Sequence, residues 1–203
     1  MFLELLNAWA VSFDLPILDW IRANMANPFL DTIMPIITVL GDAGIFWMIW
    51  AAILVFTKKY RKIGIGMAIA MIFGVVVCNM LMKPLIGRIR PYDYNLQVLK
   101  LNWQDFLVHG KLLVETPHDF SFPSGHTIAS FEGAVVILKN DKRLGIPALI
   151  LAILISFSRM YLYVHYPTDV IASVILGTIF ALIANWIVHA IAAKLARRQR
   201  RAA

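Results

Sequence analysis

Residues 63–82 read IGIGMAIAMIFGVVVCNMLM, twenty positions without a charge, closed by Arg61 and Lys62 on one side and by Lys83 on the other. About 20 predominantly apolar residues, rising 1.5 Å each, cross the hydrocarbon of a bilayer. This stretch therefore predicts a transmembrane helix. Outward from it, 170–193 is a second such run, twenty-four residues with His189 as its one titratable interruption. The whole chain agrees: 60% of its 203 residues are hydrophobic and 15% charged, with a mean hydropathy of +0.73, where a soluble domain carries roughly 45–50% apolar and about 25% charged residues. Spanning helices are predicted at 43–57, 63–84, 124–138, 144–164 and 168–193. Segment 32–40 is apolar too, and Gly41-Asp42-Ala43-Gly44 looks like a break, so 32–40 reads as a re-entrant or interfacial helix, as part of one long tilted helix with the next segment, or as a sixth crossing. Residues 1–27 lack a basic leader and contain Glu4, Asp14, Pro16, Asp19 and Arg22. That argues against a cleavable signal peptide and for an amphipathic helix in the interface. The expected fold class is all-α: a polytopic membrane helix bundle of five to six transmembrane helices plus an N-terminal interfacial helix, one domain over 1–203 with an interfacial or re-entrant region at 1–42.

A net charge of +7 raises the question of nucleic acid, and the positions of the basic residues answer it. Lys58, Lys59, Arg61 and Lys62 form one cluster, Lys139, Lys142 and Arg143 a second, and Lys194, Arg197, Arg198, Arg200 and Arg201 a third, twelve of nineteen in all. Each cluster sits at a segment end, the pattern of the positive-inside rule. The expectation is two cytoplasmic turns, a basic cytoplasmic tail at 194–203, and no nucleic-acid partner. Residues 88–122 then form an external loop, and its Tyr92, Tyr94, Trp103, Phe106, Phe120 and Phe122 are the aromatic usage of a loop that touches headgroups. Cys78 stands alone in an apolar run, so no intrachain disulfide is available and packing is its expected role.

Polar and charged residues near membrane helix ends are costly unless used, and three groups of them are expected at the same outer face. Lys83 is followed after six residues by Arg90-Pro91. Pro123-Ser124-Gly125-His126 opens a helix. Ser158-Arg159 is followed by His165 and Asp169. Around a phosphoryl group, Lys83, Arg90 and Arg159 would neutralise nonbridging oxygens, the arginine forks with bidentate geometry and the lysine as a point charge. Ser124 and Gly125 sit where a helix N-terminus offers free backbone N–H groups to an anion, and glycine permits close approach. Two histidines can divide nucleophilic attack and proton transfer, with Asp169 holding the nucleophilic ring in its tautomer.

These three segments resemble the signature of the type 2 phosphatidic acid phosphatase family of membrane lipid phosphatases, whose fold core is shared with vanadium haloperoxidases. The resemblance covers Lys83 to Asp169, with every polar position present, and the helix pattern extends it to most of the chain. It implies that His165 is the nucleophile and forms a phosphohistidine, that Asp169 is its partner, and that His126 is the acid that later activates water. It implies a phosphate cradle of Lys83, Arg90, Ser124, Gly125 and Arg159, with no metal and no cofactor. The implied partner is a membrane lipid substrate at the outer face of a bacterial plasma membrane. Undecaprenyl pyrophosphate is the favoured one, because an external site matches where that carrier is released and no large headgroup-binding domain is present. Phosphatidylglycerophosphate, phosphatidic acid and diacylglycerol pyrophosphate are alternatives. A phosphotransferase or soluble-ester phosphatase using the same site, and a non-enzymatic lipid transporter on the same fold, are rival readings. Glu132 enters the membrane region without a named partner; six residues beyond His126 is about 600° of rotation, off the His126 face, and favours a structural hydrogen bond. Asn79 and Asn185 read as packing residues, and His109, His118 and His189 match no motif position.

Overall fold

The computed structural model describes residues 2–107 and 112–202; His109 lies outside them. The chain begins with α1 (Phe2–Trp9), a π-helical turn (Ala10–Asp14) and α2 (Leu15–Met25). Asn27 then caps α3 (Pro28–Val39), its side chain accepting the Leu30 N–H at 3.0 Å with Pro28 in the first turn, a favourable start. A left-handed pair, Ala43 (φ 48) and Gly44 (φ 68), separates α3 from α4 (Ile45–Phe56). After α5 (Arg61–Phe73) the helix continues as a π-helical segment (Gly74–Met82) into α6 (Lys83–Ile86). Two short helices, α7 (Pro91–Gln97) and α8 (Trp103–Phe106), precede α9 (Gly125–Asn140), α10 (Lys142–Tyr161) and α11 (Pro167–Ala202). The protein is an all-helical membrane bundle. Among the described residues, Pro28–Phe56, Arg61–Gln97, Lys142–Tyr161 and Pro167–Arg201 are long and apolar enough to cross a bilayer.

Helix α9, at 16 residues, is shorter than a standard crossing, yet it is the centre of the bundle. Ten of its residues from Thr127 to Ile137 are buried, as in a helix covered on every side, and it packs on α5, α10 and α11. Small residues let the backbones approach, as is usual between membrane helices: Ala70, Ala134, Ala152, Ala181 and Ala184 are fully buried or nearly so. Trp47 lies over Gly133, where a Cβ would collide with its ring, and its indole N–H donates to Ser130 Oγ at 3.0 Å. Asp141 turns α9 into α10 by accepting from the Arg143 and Leu144 N–H groups. Near that turn Asn140 donates to Asn185 at 2.7 Å and lies 2.9 Å from His189, a packing contact of the kind expected for Asn185. Outward faces carry Ile53, Phe56, Ile72, Met80, Ile150, Ile175 and Trp186, all exposed, as suits a lipid-facing surface.

Three details go beyond the sequence reading. The basic segment expected as a tail at 194–203 is helical, α11 running on through it to Ala202; arginine and lysine are good helix formers and sit well at a helix C-terminus. Segments 32–40 and 43–57 are consecutive helices joined by a tight turn rather than one smooth helix. The N-terminal helices are anchored on one side: Ala10, Leu15, Leu18 and Ile21 pack against Tyr161, Leu162, Tyr163 and Tyr166, while Leu5, Trp9, Phe13 and Trp20 face outward.

Candidate active site

Each polar segment is delivered to one end of the bundle by a local device. Gly87 (φ 64) reverses the chain after α6 and sends Arg88 and Arg90 back over the helix ends. The Ser121 N–H donates to Arg88 O at 2.7 Å, tying the loop before α9 to that reversal. After α10 the chain turns through Tyr163 (φ 62), and the His165 N–H returns to Arg159 O at 3.3 Å.

His165 is 1% exposed. Its Nε2 lies 3.2 Å from Arg90 Nη1, and its Nδ1 lies 3.4 Å from both Asp169 Oδ2 and Ser121 Oγ. Burial, then the charges of Arg90, Arg159 and Lys83, hold its pKa well below the ordinary imidazole value, so the ring is neutral. The carboxylate on the Nδ1 side favours the tautomer protonated there, which turns the Nε2 lone pair towards Arg90. Asp169 is held in turn: Oδ2 accepts the Tyr166 N–H at 3.0 Å and the Ser121 hydroxyl, and Oδ1 accepts from Arg88 Nη1 at 2.5 Å. Arg88 is fully buried, stacks on Tyr166 at 3.7 Å, and donates through Nη2 to Asp14 Oδ2 at 2.7 Å and to Leu6 O at 2.9 Å. Asp14 also accepts from the Thr168 N–H at 2.9 Å. The N-terminal helix is thereby wired to Asp169.

The cations converge from three elements. Arg90 donates to Val164 O at 2.7 Å and to the backbone and carboxylate of Asp119; Lys83 pairs with the other oxygen of that carboxylate. Burial would raise the Asp119 pKa, but the Lys83 hydrogen bond and the charges of Arg90 and Lys83 outweigh it and hold it at about 2. A carboxylate thus lies between two residues read from sequence as phosphate ligands. Arg159 donates to Thr38 Oγ1 at 2.6 Å, while its buried Nε has no hydrogen-bond partner among the described residues. His126 Nε2 lies 2.7 Å from Asp42 Oδ1 in the α3–α4 turn.

A cavity of about 1450 Å³ is lined at this end by Lys83, Arg90, Gly125, His126, Arg159 and His165, and it continues between α4 and α5 past Met48, Ala52, Val55, Ala68, Ile72 and Val75. Gly125 is not demanded by packing, since a Cβ there would meet Asn79 at an ordinary 3.4 Å; its bareness leaves the cavity wall open. Ser124 departs from the sequence reading. It is fully buried, its N–H is committed to Ser173 Oγ at 2.8 Å, and its hydroxyl accepts from Thr127, so its amide is not free for an anion. Glu132 also lines the cavity, packed on Gly74 where any Cβ would strike it, and its Oε1 has no hydrogen-bond partner among the described residues. A backbone hydrogen bond at Gly74 supplies the structural contact expected for this carboxyl.

Removing the Asp119 charge should strengthen anion binding, because the anion no longer displaces a carboxylate from Lys83 and Arg90. Asp119→Asn should lower the inhibition constant of inorganic phosphate or vanadate severalfold, read by competition at pH 7. Because the folded-state pKa of about 2 is depressed, the stabilisation by this clamp is present above the unfolded carboxyl value and is lost only as pH falls towards 2.

Fold and site together define a polytopic membrane helix bundle with two histidines and three cations around one cavity. Residues 59–192 match the PAP2 superfamily, and the chain belongs to it. A Sulfolobus acidocaldarius undecaprenyl-diphosphatase is 35% identical over 133 residues, 65% of this chain and 58% of that protein; the match thus spans less than two thirds of that relative. Phosphatidylglycerophosphatase B of Bacillus subtilis is 32% identical over 165 residues, 74% of this chain and 71% of that protein. Among solved structures, a transmembrane PAP2-type phosphatidylglycerolphosphate phosphatase from Bacillus subtilis superposes with a TM-score of 0.66 at 26% identity, covering 86% of this chain and 84% of that one.

Proposed function

We propose that this chain is a metal-independent lipid phosphatase that transfers a phosphoryl group to His165 Nε2 and then to water, with undecaprenyl diphosphate as its substrate and its site on the outer face of the membrane. The observation that carries the reading is the geometry of His165, whose Nε2 lies 3.2 Å from Arg90 Nη1 at the cation-rich end of a cavity that runs on between apolar helix faces. Lys83, Arg90 and the unpartnered Nε of Arg159 bind the nonbridging oxygens. Asp169 stabilises the Nδ1–H of the ring as it becomes cationic in the phosphohistidine. His126 protonates the departing oxygen and later takes a proton from the attacking water. Three fixed cations favour an anion over a metal ion at this end.

Substrate class follows from the shape of the cavity. The apolar lining between α4 and α5 suits a long hydrocarbon chain, which supports a lipid substrate, and the likeness to the diphosphatase relative supports a polyprenyl one. The three basic clusters support this orientation, since the positive-inside rule favours their end in the cytoplasm and the opposite end outside. The test is phosphate release in detergent from undecaprenyl diphosphate, phosphatidylglycerophosphate and phosphatidic acid at matched surface concentration. Undecaprenyl diphosphate should have the highest kcat/KM; a preference for phosphatidylglycerophosphate would move the assignment to the activity named for the Bacillus subtilis relatives. Vanadate, which adopts the five-coordinate geometry of phosphorus in transit, should inhibit, and EDTA should leave the rate unchanged. Loss of activity on chelation, restored by a divalent cation, would remove the metal-free mechanism.

A further inference from the structure

We propose that Asp42 is the positioning residue of His126, accepting its Nε2–H so that Nδ1 is the nitrogen presented to the scissile bond; this rests on the phosphatase reading above. The contact is 2.7 Å, and the turn around it is shaped to the ring. A Cβ on Gly41 would lie 2.7 Å from His126 Cδ2 and 2.8 Å from Ile155, so only glycine lets the turn approach so closely. Ala43, a non-glycine residue, is held at φ 48, an uncommon conformation for alanine of the kind that persists where surroundings over-determine it and that clusters at functional sites.

The charges around His126 give Asp42 its task. Arg159 comes from α10 and Arg90 from the segment before α7; Asp42 is the carboxylate in contact with the ring. A proton donor beside two fixed cations is hard to keep loaded without a countercharge. Arg159 hydrogen-bonds to Thr38, which leaves the Asp42 carboxylate for the histidine. In the first step the His165 Nε2 lone pair bonds to phosphorus, the P–O bond to the leaving group breaks, and His126 Nδ1–H passes its proton to that oxygen. In the second, water attacks phosphorus, His126 Nδ1 takes the water proton, and the N–P bond electrons return to His165. Asp42 stays a carboxylate throughout.

A residue acting through a proton donor matters only when the leaving group needs a proton, and that separates positioning from a merely structural role. The experiment compares first-turnover rates by rapid quench for two probes: farnesyl monophosphate, whose alkoxide must be protonated, and p-nitrophenyl phosphate, whose leaving group departs as an anion near neutral pH. Asp42→Asn should slow the farnesyl reaction by on the order of 10²-fold, within the range that general acid catalysis supplies, and the p-nitrophenyl reaction by less than about threefold. Asp42→Glu should recover part of the farnesyl loss. Equal losses with both probes, or no loss with either, in an active wild-type background would overturn the proposal. If Asp42→Asn does not fold, as judged by size-exclusion chromatography in detergent, Asp42→Glu carries the comparison, and equal effects on the two probes would again overturn it. Wild-type protein active on undecaprenyl diphosphate but inert with both monophosphates would overturn this proposal alone, and wild-type protein inert with all three would overturn the phosphatase reading with it.

Discussion

His165→Ala should reduce phosphate release by at least about 10⁴-fold, because a nucleophile acting in a concerted unit accounts for most of the chemical acceleration when it is deleted alone. Lys83, Arg90 and Arg159 remain in place, so the variant should still bind phosphate or vanadate. Its folding should survive: His165 makes two long contacts at 3.4 Å and one at 3.2 Å, whereas Asp169 keeps its bonds to Arg88, Ser121 and Tyr166 without it. The measurement is phosphate release together with acid-labile labelling from a ³²P-phosphorylated lipid. Wild type should show a labelled phosphoenzyme and the variant none. Activity retained in the variant would dismiss His165 as the nucleophile. Wild-type protein that releases nothing while moving lipid between leaflets would instead favour a transporter on the same fold.

The architecture was legible because a bilayer imposes few and strong constraints. A charge-free run such as 63–82, with basic residues at its end, has almost no other use, and every such run in this chain is helical. The polar segments were legible for a related reason, since cations at apolar helix ends need a purpose. The structure brings Lys83, Arg90, His126, Arg159 and His165 to one cavity wall, with Asp169 directly behind His165. What local reading could not supply were partners fixed by tertiary packing. A helix N-terminus offers free amides in isolation, yet the Ser124 amide is taken by Ser173, forty-nine residues later. Asp42 stood between glycines and read as a break, and nothing local to it indicated a histidine eighty-four residues away. Nothing local to Asp119 indicates Lys83, thirty-six residues earlier, or Arg90, twenty-nine residues earlier. Arg88 had one available signal, a second cation two residues before Arg90 amid apolar neighbours, but its partner Asp14 lies seventy-four residues earlier.

That pair carries the second large effect. Asp14, Arg88 and Asp169 form a chain of two carboxylates around one guanidinium, all at 0% exposure. Removing one member of a buried ion pair costs about 3–5 kcal/mol, chiefly because its partner is left uncompensated, and the three members are not equivalent. Arg88→Met leaves two buried carboxylates without a cation and frees Asp169 from the bond that fixes its Oδ1. Asp14→Asn leaves Arg88 and Asp169 as a balanced pair, and the amide oxygen can still accept from the Thr168 N–H. Arg88→Met should therefore destabilise by that full amount and lower kcat by about 10²–10⁴-fold, approaching what loss of an orienting aspartate costs a histidine. Asp14→Asn should stay within about tenfold in kcat, since it disturbs the position of Asp169 only through Arg88. Thermal unfolding in detergent and lipid phosphatase rates on the two variants would check the order. Equal loss of activity from both would mean that docking of the N-terminal helix, rather than the charge on Asp169, is what Arg88 provides.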